Sequence, residues 1–504
     1  MSLIDTTALS AALTMLLDWH VLLYIILGLA FGIMLGATPG ISGTLGIGLM
    51  LPLTYHLETI HAIMFLSAIF TGSLYGGGVT AIMLNIPGTP AAVATTLDGY
   101  AMTKQGKQNE ALGIGLGSSV LGCLMGYIVI FFLLLPLGQI VLSFGPPEML
   151  MLTLFSLTVI GTIQGDLMRS LLVGFFGLLL GTIGATAFAR PRGTFGLMEL
   201  YEGIPLVPVL IGLLAVSELF FIIERSYIAH DMTTVQKDLR AILRGMAVPL
   251  KHKFNLLRSA VIGMVIGLLP AAGATIASLV SYGQAHAASK DPETFGKGNP
   301  AGIVAAETAN NASESGGMAT MMTFGIPGGS ATAVLMAAFM LHGLSPGPYL
   351  VRDHMDLTYA VIIGNWLQGL LLLGMGLAFI WYFSKIIFVP TRLLVPVVAL
   401  LAMLGSLAMR GLMIDATLTL LFGIIGFIMR KLDYPTIALL LGLILGKMVD
   451  GEFARVHIMF SGRYEQLVTR PIFLGLLVVT IAMFFIPFIR RLQDKKNNSL
   501  KASQ

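Results

Sequence analysis

The chain has 504 residues, 56 % of them hydrophobic and 11 % charged, with a mean hydropathy of +0.88. Soluble domains carry roughly a quarter charged residues, so the composition excludes an ordinary soluble enzyme and reads as a polytopic membrane protein. The single cysteine, Cys123, excludes an internal disulfide framework and a thiolate metal cluster, and the net charge of +4 comes without a basic and aromatic cluster suited to nucleic acid.

The first twenty residues hold no Lys or Arg, so no cleavable signal peptide is expected. Apolar stretches near the ~20 residues of a bilayer crossing follow at 20–35, 62–84, 110–135, 148–164, 168–188, 204–223, 256–280, 301–325, 357–383, 392–409, 412–429, 435–447 and 472–489. Several are marginal, so the expectation is an all-α fold of about twelve membrane helices. Gly113, Gly115 and Gly117 read as a helix-packing face. The main polar interruption, Glu224 to Arg258, carries Arg225, Lys237, Arg240, Arg244, Lys251, Lys253 and Arg258. By the positive-inside rule it is cytoplasmic, as is the tail with Arg490, Arg491, Lys495, Lys496 and Lys501. Nothing before Lys104 is positively charged, which leaves the N-terminus free to lie outside.

The chain repeats itself. Ser73 to Ala92 laid on Ser313 to Thr332 shares Ser, Gly-Gly, Thr, Ile-Pro-Gly and Ala in register. Upstream, "GATPGISGT" from Gly36 matches "GLLPAAGAT" from Gly267 at Gly, Pro and Thr. Downstream, Pro205, Gly212 and Leu213 recur as Pro435, Gly442 and Leu443. The expected organisation is a first transmembrane repeat at 1–225, a basic cytoplasmic linker at 226–255, a second repeat at 256–450, and an added helix with a cytoplasmic tail at 451–504. One copy starts from an uncharged segment and the other from the basic linker, so they are expected to enter the membrane from opposite sides. Such inverted repeats are a plan of secondary transporters.

Two apolar segments are broken at matching places, "MLNIPGTPAAV" from Met83 and "TFGIPGGSATA" from Thr323. Too few residues follow each break to span, counting to Asp98-Gly99 and to His342-Gly343, so each reads as a re-entrant half-helix. Thr89 before Pro90, and Ser330, are the expected N-caps. A half-helix start carries about half a positive charge and seats carboxylate or phosphate. A single Pro-Gly kink would more readily be a packing bend; its duplication beside glycines 76–78 and 316–317 favours binding. Between the breaks, "AAETANNASESGG" puts Glu307, Asn311 and Glu314 on one helix face with Asn310 beside them. Such oxygens suit Na⁺ or a proton. A place at the wet membrane edge, after the polar loop Lys290 to Asn299, would explain Glu307 more readily than Asn310 to Ser315.

These motifs, "GATPGISGT", "NIPGTPAAVATTLDGY", "ETANNASESGG" and "FGIPGGSATAVLMAA", closely resemble the large membrane subunit of the tripartite tricarboxylate transporters, the TctA family, over nearly the whole chain. The resemblance implies a permease of the bacterial inner membrane that imports citrate-like di- or tricarboxylates on an ion gradient. It also implies two partners, a small four-helix TctB-like membrane subunit and a periplasmic TctC-like solute-binding protein. The candidate substrate residues are Pro39, Ser42, Thr44, Asn85, Gly88, Thr89, Thr275, Gly328, Gly329 and Ser330. Glu307, Asn310, Asn311, Ser313 and Glu314 are the candidates for a coupling Na⁺ or H⁺, and no other cofactor is expected. A passive anion channel is an alternative. So is an intramembrane serine protease built on Gly40 to Gly43 with His56 or His61, although the second copy lacks the serine. The absence of a P-loop motif argues against a chain that itself hydrolyses ATP.

Overall fold

The computed structural model describes residues 5–38, 42–163, 167–186, 190–223, 238–270, 272–383, 391–461 and 463–482. Pro39, Gly40, Ala271, the 224–237 part of the basic linker and the tail from 483 lie outside them. Apart from one two-residue strand pair, the regular elements described are helical. In order they are α1 (Thr6–Leu16), α2 (Trp19–Gly36), α3 (Gly43–Met50), α4 (Thr59–Leu84), α5 (Val93–Lys104), α6 (Gln108–Leu142), α7 (Pro146–Ile163), α8 (Leu167–Gly181), α9 (Leu206–Leu210), α10 (Ser217–Ile223), α11 (Leu239–Lys251), α12 (Lys253–Leu268), α13 (Gly273–Ala287), α14 (Pro300–Phe324), α15 (Ser330–Leu341), α16 (Pro348–Asp353), α17 (Met355–Ala378), α18 (Thr391–Arg410), α19 (Met413–Lys431) and α20 (Thr436–Phe460). Among the described residues, five helices are both long and apolar enough to cross a membrane.

Several ends follow from local chemistry. Asp5, Asp18, Ser42, Asp238 and Asn299 cap α1, α2, α3, α11 and α14 by accepting backbone N–H groups. The His20 backbone N–H, with the His20 ring, holds the Asp18 carboxyl down to about 2. Asn85 (φ 58°) and Gly325 (φ 70°) end α4 and α14 in the same left-handed conformation, which only glycine and asparagine adopt at little cost. Asn85 therefore has a backbone duty that its polar side chain had obscured.

Contacts divide the chain into two compact units, residues 1–139 with 210–424, and residues 140–209 with 425–504. In the first, α2 and α4 run parallel at backbone contact. A Cβ at Gly28, Gly32 or Gly36 would lie 2.4, 2.4 or 2.2 Å from the carbonyl oxygen of Phe65, Ile69 or Ser73. The contact recurs between α12 and α14, where a Cβ at Gly263 or Gly267 would lie 2.4 or 2.1 Å from that of Ala309 or Ser313. Small residues let helix backbones approach this closely, and dispersion then holds them. Both α4 and α14 are buried along nearly their whole length. Where they meet, Thr71 contacts Glu314, Leu74 contacts Asn310, and Gly78 faces Glu307. One number rises as the other falls, so α4 and α14 are antiparallel.

Five details differ from the expectations above. The apolar stretch 256–280 is two helices, broken after Leu268, matching the break between α2 and α3. Asp98-Gly99 lies inside α5, although that helix, at 12 residues, still falls short of a crossing. The basic interruption contains α11, whose Ile242, Gly245 and Met246 are what Gly113 and Gly117 pack against. The last paired segment runs on to Phe460, and α1 precedes the first expected helix.

In the second unit, Gly177 and Gly181 of α8 meet Gly442 and Gly446 of α20 in a parallel crossing. Buried Glu148 receives Arg470 at 2.6 Å, and Arg192 pairs with Asp450 at 3.0 Å. In the first unit Gly212, the counterpart of Gly442 in sequence, sits at a helix crossing against Thr419 and Gly423.

Candidate functional site

The two broken loops sit on glycines. A Cβ at Gly88 would lie 2.1 Å from the Gly36 oxygen and 2.9 Å from Gly77 Cα. At Gly328 the corresponding distances are 2.5 Å from the Gly267 oxygen and 2.6 Å from Gly317 Cα. These are the same sequence-matched pairs in both halves. Glycines 76–78 have separate tasks: Gly76 abuts Ile33 of α2 and Ala37 just after it, Gly77 makes room for Thr89, and Gly78 makes room for the Glu307 carboxylate.

Beyond each loop, the short arm lies along the returning helix from the other half. Ser330, the first residue of α15, has its hydroxyl 2.9 Å from that of Thr44 in α3, and Val334 approaches Gly48 one turn on. The starts of α3 and α15 are therefore side by side and point the same way. Gly273 at the start of α13 donates its N–H to Gly328 O at 3.1 Å, and Ser278 of α13 donates to Ala91 O at 2.7 Å. Helix starts from both halves, with Thr44, Thr275 and Ser330, thus gather around the loops. Ser42, Gly273, Thr275, Gly329 and Ser330 are half-buried. Oriented N–H groups without a buried cation suit an anion.

The expected caps are corrected. Ser330 does not cap α15: Gly329 holds the N-cap position, its N–H donates to Thr332 Oγ1 at 2.9 Å, and the Ser330 hydroxyl turns to Thr44. Thr89 occupies the N-cap position before Pro90 but makes no capping bond, because its side chain lies against Gly77. The Thr89 hydroxyl is buried without a partner. Gly88 N–H already donates to Gly77 O at 3.2 Å, so with Gly329 two of the loop N–H groups are engaged within the protein. Asn85 is exposed at the end of α4, and Pro39 lies outside the described residues.

Glu307 is fully buried, not at a wet edge. It accepts from Thr95 of α5 and from Ser119 of α6 at 3.1 Å. The reason is the docking of the α14 start: Asp98 of α5 accepts the backbone N–H groups of Gly298 and Asn299 at 2.9 and 2.8 Å, and the Tyr282 hydroxyl at 2.9 Å. This buries α14 from its first turns. Glu314 accepts from Thr71 at 2.6 Å and Tyr127 at 3.0 Å through one oxygen, while its other oxygen is buried without a partner. Asn310 donates to Leu74 O at 3.2 Å, and its own oxygen is unpartnered, as are both polar atoms of Asn311 and of Asn365 in α17. Ser313 is spent on Asn310 O at 2.7 Å. Sequence reading missed Asp98, Tyr127, Asn365 and Gln368; polar residues within apolar helices were the available signal.

Ser42 and His61, two residues of the protease alternative, are each engaged elsewhere. Ser42 Oγ accepts from Leu45 N–H as a cap, and Gly43 packs on Ser73. His61 opens α4, about 18 Å from Ser73 along the axis at ~1.5 Å per residue, and pairs with Asp18.

The family model described as "Tripartite tricarboxylate transporter TctA family" matches residues 22–441. An uncharacterized 52.8 kDa protein in the TAR-I ttuC' 3' region of Agrobacterium vitis is 31 % identical over 478 residues, covering 93 % of each chain. An uncharacterized protein in the TAR-II ttuC' 3' region of the same organism is 31 % identical over 236 residues, 46 % of this chain and 98 % of that one. No solved structure matches. With buried apolar helices, paired broken loops and a family match across most of its length, this chain is a membrane protein that belongs to the tripartite tricarboxylate transporter TctA family.

Proposed function

We propose that the chain is the large permease subunit of a binding-protein-dependent secondary transporter that imports citrate-like di- or tricarboxylates across the bacterial inner membrane. The observation that carries this reading is the gathering of helix starts from both sequence copies, α3 against α15 at Thr44 and Ser330 and α13 against the second broken loop at Gly273 and Gly328. A site shared by two opposed halves can open to either side as one half rocks against the other. The antiparallel course of α4 and α14 supports inverted repeats, and the basic residues of the linker and tail support a cytoplasmic place for both.

The carboxylate is held at the helix starts and by the hydroxyls of Thr44, Thr89, Thr275 and Ser330. A coupling Na⁺ or H⁺ is held among Glu307, Asn310, Asn311 and Glu314, where the side-chain oxygens of Asn310 and Asn311 and one oxygen of Glu314 are buried without protein donors. A TctB-like subunit and a TctC-like binding protein are the partners, in keeping with the tripartite family. The test is reconstitution with both partners and a panel of carboxylates, with and without a Na⁺ or proton gradient. Accumulation abolished by an ionophore supports the reading. Equilibration without accumulation, indifferent to the gradient, would replace it with a passive channel.

A further inference from the structure

We propose that Asp18, His20 and His61 form a binding site for a divalent transition cation such as Zn²⁺, stapling the start of α2 to the start of α4. The three residues come from two segments. Asp18 caps α2, His20 is in its first turn, and His61 is in the first turn of α4. His20 Nδ1 lies 2.8 Å from one Asp18 oxygen, and His61 Nε2 lies 2.9 Å from the other. One ligand atom from each residue falls within 4.8 Å of the others. Tetrahedral zinc with bonds of about 2.0–2.2 Å needs its ligands about 3.4 Å apart. Small side-chain rotations, replacing the two hydrogen bonds, would close that difference.

Two further features point to a metal site over a chance polar cluster. Metal-binding imidazoles are commonly oriented by a carboxylate on the far ring nitrogen. The exposed Glu58 carboxylate lies on that side, 3.7 Å from His61 Nδ1 and outside hydrogen-bond distance, so a small rotation would bring it onto the ring, while Nε2 faces Asp18. The His61 ring is also fixed in place: it is buried and stacked on Tyr24 at 5.4 Å. Two imidazoles and a carboxylate suit Zn²⁺, Ni²⁺ or Cu²⁺, and Ca²⁺ or Mg²⁺ poorly. His20 remains half-exposed, so the site is open to solvent and can complete its shell with water.

The consequence is mechanical. The parallel α2–α4 pair carries Gly36 and Gly77, on which the first broken loop rests. A staple at the opposite end of the pair would fix its register.

The experiment uses the full chain, purified in detergent after chelator treatment and titrated with ZnCl₂. Expected are one bound ion per chain, a Zn²⁺-dependent rise in unfolding temperature, and Co²⁺ absorption bands of a low-coordinate nitrogen and oxygen site. His20→Ala and His61→Ala should each weaken binding by about tenfold or more, and Glu58→Gln by about tenfold. His20 is exposed enough for its alanine variant to fold if the His61 variant does not. Absence of stoichiometric binding, or binding and stabilisation unchanged in His20→Ala, overturns the proposal.

Discussion

The Thr71 hydroxyl lies 2.6 Å from Glu314 Oε1, 3.0 Å from Gln368 Oε1 and 3.2 Å from Ser67 O, three acceptors for one proton. Gln368 spends its own amide on Ser67 at 2.9 Å, so it cannot relieve the shortage. With Glu314 Oε2 also unpartnered, the cluster has more buried oxygens than donors. A buried polar atom left so costs about 1–3 kcal/mol, more if charged. A bound proton or cation removes that cost. Glu314→Gln brings its own donors and keeps the shape, so abundance should stay near wild type while gradient-dependent uptake falls by about tenfold or more, as for loss of one charge-assisted bond. Uptake that keeps its full gradient dependence in this variant would remove Glu314 from coupling.

Asn310→Ala and Asn311→Ala should likewise weaken cation activation more than docking of the binding protein. Initial uptake rates measured against Na⁺ concentration and against binding-protein concentration separate the two. Unchanged cation activation would leave these amides a structural role alone.

Thr89→Val keeps the volume and removes a hydroxyl that has no partner to lose. Stability should change by less than about 1 kcal/mol, whereas the apparent KM for carboxylate should rise. Ser330→Ala breaks the link to Thr44 and should raise KM as well. Normal KM in both variants would argue against a carboxylate seat at these helix starts.

Glycine variants report something else. From sequence, a β-branched residue at Gly88 or Gly328 would be expected to block transport while leaving abundance intact. The contacts predict otherwise, because a Cβ at either position runs into the backbone of Gly36 or Gly267. Gly88→Ala and Gly328→Ala should each destabilise by about 1–3 kcal/mol, as overpacking does, visible as a lower unfolding temperature. Gly283, in α13 with open space around it and no positive φ, is the control for an added methyl.

Orientation can be read by labelling, since Cys123 is buried and should react little. Glu58→Cys precedes α4 and Lys297→Cys precedes α14, and those helices are antiparallel. An impermeant maleimide should reach them from opposite sides of the membrane. Labelling of both from one side would contradict inverted repeats.

The sequence by itself determined the membrane class, because 11 % charge cannot solvate a surface of this size. It also determined where both helices break, because Pro, Gly and Asn act locally: Asn85 and Gly325 end their helices through their own φ angles. Tertiary structure alone decided where the polar groups went. Glu307 follows a polar loop and looked superficial, yet Asp98, two hundred residues away in sequence, docks the α14 start and buries it. Ser330 looked like a cap until Thr44 from the other half took its hydroxyl. Local backbone preference is written in neighbouring residues. The partner of a side chain depends on which distant helix packing places beside it, and a single sequence does not carry that pairing.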